Sequence, residues 1–227
     1  MTVPLIDLAA ADEAALALCI DAALREAGFF AIVGHGVPAS LRAEVFAASQ
    51  RFFTLPEAEK ARTHIDLAPG KRGFDPVGWQ SLDVGQPPDL KESFYLGSEH
   101  LGLNQWPDEA AVPGFRAACE AWSAAMQALS RRLMGLFARA LTLPPGYFDA
   151  YMTDPTCTTR LLHYPPQPAA APGQIGCGAH TDWGALTLLA QDEAGGLQVQ
   201  RPDGSWFDIA PLADRPEALI VNSGDML

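Results

Sequence analysis

Two stretches of this chain carry a histidine and a carboxylate two residues apart: His64-Ile65-Asp66 and His180-Thr181-Asp182. On a strand, side chains at i and i+2 share a face, so such a pair presents an imidazole and a carboxylate to one site. With a second, distant histidine they form a 2-His-1-carboxylate set, which holds ferrous iron and leaves three neighbouring positions open. Spacing alone is a weak signal. With 27 acidic residues in 227, about one histidine in eight meets an acid two positions on by composition. Context separates the pairs. His64 stands where a short helix runs out into a Gly/Pro-rich stretch and reads as a solvated loop. His180 has strand-like sequence on both sides, Arg160–Tyr164 behind it and Leu186–Ala190 ahead.

The elements that must position such a pair change character near residue 155. Before it, Ala10–Ala27 reads as a helix ended by Gly28, with Leu16, Ile20 and Leu24 recurring at i, i+4 and i+8. Phe29–Val33 reads as a strand. Ser40 is placed to cap a second helix that carries Leu41, Val45, Phe46, Phe52 and Phe53, and Pro56 to start a short third. Residues 68–88 carry four Gly and four Pro and read as a long, mostly extended segment. Glu92–Leu96 is a further strand candidate. Pro113–Leu141 keeps Phe115, Cys119, Trp122, Met126, Leu129, Leu133, Leu136 and Phe137 on one face and Arg116, Glu120, Arg131, Arg132 and Arg139 on the other, which predicts a scaffold helix. After Thr158 the runs shorten (158–163, 186–190, 197–200, 206–209, 219–222) between Pro, Gly and Asp-Gly turns, the pattern of an antiparallel sandwich or barrel.

Composition narrows the partners. A formal charge of −12 disfavours nucleic acid and anionic membrane, both of which reward positive surface. Four scattered cysteines with no C-x-x-C pair predict free thiols, the opening residues form no signal peptide, and no apolar run nears bilayer length. A reducing cytoplasm is the expected compartment. The oligomeric state is not written in the sequence.

The motifs form a recognisable series. Tyr164-Pro165-Pro166, His180-Thr181-Asp182, Leu186-Thr187-Leu188, Gly196-Leu197-Gln198-Val199, Gly204-Ser205-Trp206 and Val221-Asn222 with Gly224-Asp225 resemble the C-terminal domain of the isopenicillin N synthase-like family of non-haem Fe(II), mostly 2-oxoglutarate-dependent, dioxygenases. Ile6-Asp7-Leu8, Gly28-Phe29-Phe30, His35-Gly36, Leu55-Pro56, Arg72-Gly73 and Asp89–Glu92 resemble its N-terminal domain. The resemblance covers nearly the whole chain in order. It implies an α+β fold with a double-stranded β-helix (jelly-roll, cupin-like) core and an N-terminal helical and mixed region packed on it. The divisions would be residues 1–110, a scaffold helix within 111–154, and a partial jelly roll over 155–227.

The resemblance also implies chemistry. His180 and Asp182 become two Fe(II) ligands, and Tyr164 a hydrogen-bond donor to 2-oxoglutarate, with O2 the oxidant and a small molecule the substrate. Many relatives carry Asn where this chain has Leu162, which alters cosubstrate contacts there. His163, alternating with Tyr164, and His35, between two glycines, are assigned structural roles. The second His ligand and an Arg-x-Ser clamp for 2-oxoglutarate would fall beyond Leu227. The barrel is therefore expected to be incomplete here, with the last strand, 219–222, in need of partners. The expected activity of the complete protein is oxidation of a small molecule with succinate and CO2 as co-products. The alternatives are a truncated or degenerate non-catalytic module and an oxidative cyclase that does not use 2-oxoglutarate. A zinc hydrolase is disfavoured by the lack of a general base near His180.

Overall fold

The computed structural model describes residues 3–82, 85–98, 103–167, 170–201 and 203–227. Met1 and Thr2 of the amino-terminal reading, Asp83 and Val84 of the Gly/Pro-rich segment, and Pro168 after the Tyr164-Pro165-Pro166 motif lie outside the described residues. In chain order the elements are β1 (Leu5–Asp7), α1 (Glu13–Ala27), β2 (Phe29–Val33), α2 (Ala39–Phe53), α3 (Glu57–Lys60), β3 (Gly73–Asp75), β4 (Glu92–Gly97), α4 (Phe115–Ala140), β5 (Thr158–His163), β6 (Leu186–Leu189), β7 (Gln198–Gln200), β8 (Trp206–Asp208) and β9 (Leu219–Ser223). The contacts sort these into two units interleaved along the chain. Among the described residues no helix is long and apolar enough to cross a membrane.

The first unit comprises Met1–Ala39, Ala125–Asp154 and Thr181–Leu227. Its sheet runs β1-β2-β9-β6, with β1 parallel to β2 and the other pairings antiparallel. The apolar runs of β2 and β9 are buried almost throughout, as strands covered on both faces must be. On one face Phe30 meets Phe137 of α4 at 6.5 Å between ring centroids. On the other, Ala31 and Ile220 pack with Val199 and Ile209 of the β7–β8 hairpin region. Side-chain alternation along β2 produces this division, and burial of each large apolar side chain contributes about 1.5–3 kcal/mol. Asp12 caps α1 by accepting from the Ala14 and Ala15 amides, and Gly28 ends it at φ +69°. The expectation that the last strand needs partners is not met: β9 is an inner strand, held by β2 and β6.

The second unit comprises Ser40–Ala124 and Pro155–His180. Its antiparallel sheet runs β3-β4-β5. One face, bearing Phe74 and Phe94, packs against Phe52 of α2 and Phe115 of α4, with ring centroids 4.9–5.9 Å apart. Glu92 at the start of β4 is buried and receives the Lys60 ammonium at 2.5 Å and His163 Nδ1 at 2.7 Å. A buried carboxylate needs such partners.

Three expectations change. Helix α2 begins at Ala39, directly after Pro38, so Ser40 lies inside the first turn and does not cap it. The segment 68–88 contains a strand, β3, too short for its alternation to register in the sequence. Most important, residues 180–182 are not in a strand. Irregular backbone carries them between β5 and β6, so strand alternation cannot orient His180 and Asp182. Among the described residues the strands form no closed barrel.

Candidate metal centre

Asp182 is held by paired strands. Its Oδ2 accepts from Thr187 Oγ1 at 2.6 Å and from Asn222 Nδ2 at 2.8 Å. Thr187 of β6 and Asn222 of β9 lie opposite each other in the ladder, so one cross-strand pair fixes the carboxylate. The surrounding turn is fixed as well. The Asp182 carbonyl accepts from the Asp225 amide at 2.8 Å, and Thr181 Oγ1 donates to Asp225 Oδ2 at 2.9 Å. Gly224 lies against the Asp182 and Gly184 carbonyls so closely that a Cβ there would strike backbone.

His180 is positioned by different means. Its Nδ1 lies 2.8 Å from the Gly178 carbonyl. A carbonyl can only accept, so Nδ1 carries the proton and Nε2 is the nitrogen with a lone pair. Gly178 is itself fixed, its amide donating to Asp89 Oδ1 at 2.9 Å, while Asp89 is paired with Lys91 in full burial. The Leu90 amide and the Ile175 carbonyl join the same two segments.

Cys177 is an electrostatic neighbour of both Tyr164 and His180. Half of the Tyr164 surface is exposed, yet its phenol end is enclosed, and burial, reinforced by Cys177, pushes it up to about 12. Burial would also raise the Cys177 thiol, but its interaction with His180 and the charge of Lys91 together hold it below its ordinary value.

The other histidines are occupied structurally. His35 Nε2 bonds the Glu217 carbonyl at 2.9 Å and its Nδ1 accepts from the Val37 amide, so one nitrogen closes the local turn and the other ties it to the segment before β9. His163 stacks on Phe53 and bonds Glu92. His64 accepts from the Asp66 amide, while Asp66 pairs with Lys71. His100 lies outside the described residues. Among the described residues no three His, Cys, Asp or Glu side chains form a group able to hold a metal.

The roles of Thr187, Asn222, Gly224 and Asp225 escape sequence reasoning as chemistry, although each stands inside a quoted motif. Their signal was that clustering of small and polar residues after apolar runs.

Comparison with known proteins gives this geometry a context. Residues 3–109 match the family described as non-haem dioxygenase in morphine synthesis N-terminal, and residues 155–227 match the 2OG-Fe(II) oxygenase superfamily. The 2-oxoglutarate-dependent dioxygenase citB of Monascus ruber is 40% identical over 228 residues, covering 92% of this chain and 68% of that protein. The chain belongs to the non-haem Fe(II)/2-oxoglutarate dioxygenases. The 2-oxoglutarate-Fe(II) type oxidoreductase hxnY of Emericella nidulans is 37% identical, with 88% of this chain and 61% of that protein covered. A full-length Neurospora crassa protein, crystallised in complex with alpha-KG, superposes with a TM-score of 0.87 at 31% identity, covering 99% of this chain and 74% of that one. This dioxygenase thus has the jelly-roll fold, and its class works with Fe(II), 2-oxoglutarate and O2.

Its residues fit an iron site as far as they go. The imidazole has its Nδ1 proton engaged by a carbonyl, and the carboxylate is oriented by two donors. Metal-ligating His and Asp side chains characteristically have such outer partners.

Proposed function

We propose that His180, through Nε2, and Asp182 supply an imidazole and a carboxylate ligand to Fe(II), and that Tyr164 helps bind 2-oxoglutarate. The observation that carries this reading is the Gly178 carbonyl on His180 Nδ1, which leaves the lone pair on Nε2. When bound, Fe(II) would supply the redox chemistry that couples O2 to 2-oxoglutarate decarboxylation and substrate oxidation.

The chain's own residues do the rest. Thr187 and Asn222 hold the Asp182 carboxylate at Oδ2, so it need not reorganise when a cation arrives. The Asp89–Gly178–His180 chain does the same for the imidazole. With its phenol pushed up to about 12, Tyr164 keeps its proton at neutral pH and so can donate to a carboxylate oxygen of the cosubstrate.

The substrate of this reading is a small molecule. The Neurospora crassa protein has also been crystallised with alpha-KG and thymine, a ligand of that size. The four free thiols are consistent with a reducing cytoplasm. The test is anaerobic titration of the chain with Fe(II) and then 2-oxoglutarate, followed by the visible absorption of the iron–2-oxoglutarate chelate. We expect saturable binding that His180→Ala and Asp182→Ala abolish; binding unchanged in both variants would sink the assignment.

A further inference from the structure

The face of the β3-β4-β5 sheet opposite the phenylalanine cluster is polar. Register puts Asp75 across from Ser93 and Tyr95 across from Arg160, so all four share this face, with Leu162 next along β5. Asp75 and Ser93 are buried. Arg160 is the hub. Its Nη2 donates to Gln80 Oε1 at 2.7 Å and to Ser93 Oγ at 3.1 Å, and lies 3.6 Å from Asp75 Oδ2. Its guanidinium carbon sits 4.5 Å from the centre of the Tyr95 ring, and the Gln80 amide donates to the Tyr95 hydroxyl at 2.6 Å.

Among the described residues, the hydrogen bonds of Arg160 all fall on Nη2. Arg160 Nε is buried without an acceptor, and Asp75 Oδ1 is buried without a donor, among the described residues. Among the described residues no acceptor lies on Nη1 either, although 23% of the side chain remains exposed. Leaving buried donors unfilled is costly, and native sites that do so are commonly built for a ligand or an ordered water. A guanidinium gripped at one nitrogen and stacked on a ring is a preorganised donor for a planar oxygen acceptor. Apolar surface adjoins it, with Leu162 39% exposed two residues along the strand.

We propose that Arg160 anchors the substrate of this dioxygenase. Its Nη1 takes an oxygen acceptor, a carboxylate or a carbonyl, from a small molecule whose apolar body lies on Leu162. Gln80, Tyr95, Ser93 and Asp75 are positioning residues that hold the guanidinium. The inference rests on the oxygenase reading for the meaning of "substrate", but the binding it predicts needs no iron.

The test is therefore made on the iron-free chain, by calorimetry or ligand-observed NMR, with sodium benzoate and benzamide as probes. At least one probe should bind the unmodified chain, and Arg160→Gln should weaken it at least tenfold. A carboxylate site would favour benzoate and recover part of its binding in Arg160→Lys; a carbonyl site would take benzamide as well and would not recover. Gln80→Ala, which loosens the guanidinium without removing it, should weaken binding severalfold and carries the test if circular dichroism finds Arg160→Gln unfolded. The proposal is overturned if neither probe binds, or if binding is unchanged in folded Arg160→Gln or in Gln80→Ala. His180→Ala should leave probe binding intact, so failure of the iron assignment and failure of the anchor give different results.

Discussion

His64-Ile65-Asp66 and His180-Thr181-Asp182 share a spacing and differ in where their polar atoms are committed. In the first, His64 Nδ1 accepts from the Asp66 amide, which fixes the imidazole as a cap on a short 3-10 turn, and His64 meets the Trp79 ring edge-on at 4.8 Å. Asp66 turns to Lys71. The pair is consumed by its own loop. In the second, His180 Nδ1 faces a carbonyl, and the Asp182 carboxylate is oriented by side chains from two strands. On the proposed assignment, a metal ligand is thus marked by what supports it from behind, more than by its distance in sequence from another ligand.

The largest test of that contrast is loss of metal. His180→Ala or Asp182→Ala should weaken Fe(II) binding at least about 100-fold, because a ligand is removed outright, while His64→Ala and Asp66→Ala should leave it within about twofold. Equal losses from both pairs in an anaerobic Fe(II) titration would erase the distinction. Next in size are the supports: Thr187→Val and Asn222→Leu should each weaken Fe(II) by about 10–100-fold, the range found for outer-shell partners, with far-ultraviolet dichroism unchanged.

A smaller effect is expected at Tyr164. Removing one donor to a carboxylate in Tyr164→Phe should raise the 2-oxoglutarate Kd about tenfold, read by the same chelate absorption. Its phenol also has a pH signature. Below pH 10 it is protonated in both folded and unfolded chains. Between pH 10 and about 12 the unfolded chain ionises first, so stability falls across that window. Tyr164→Phe should reduce this alkaline loss in denaturant titrations. Tyr95, also raised by burial, would retain part of it. Smallest is His64→Ala, expected to lower stability by about 1 kcal/mol through the lost cap, seen as a reduced Tm with iron binding unaffected.

Much of this was legible in the sequence. Strand β5 occupies the predicted Thr158–His163, and α4 buries Phe115, Cys119, Trp122, Leu133 and Phe137 as its periodicity requires. Long, regular patterns report on the face that must be buried. What stayed hidden was non-local. Nothing in Leu219–Ser223 says that its partners are β2 and β6, and β3 is three residues long. The strand argument for the His180 pair rested on alternation, whereas the structure orients both side chains by hydrogen bonds from irregular backbone and from neighbouring strands. Residue types foretold the donors and acceptors; their pairing depended on long-range register.

The β2–β9 ladder, which joins Phe29 to Asn222, also bears on how this chain is made. As the polypeptide leaves the ribosome, β2 emerges early as an apolar strand with its inner edge open, and it waits until residues 219–223 have been made for the strand that covers it. Loop closure of that length is slow, and open apolar edges invite pairing with the wrong chain. Because β9 also carries Asn222, the Asp182 carboxylate acquires its support only when this late pairing is complete. On the proposed assignment, the readiness of the site to take a metal is therefore a report that the two inner strands of the sheet have found each other.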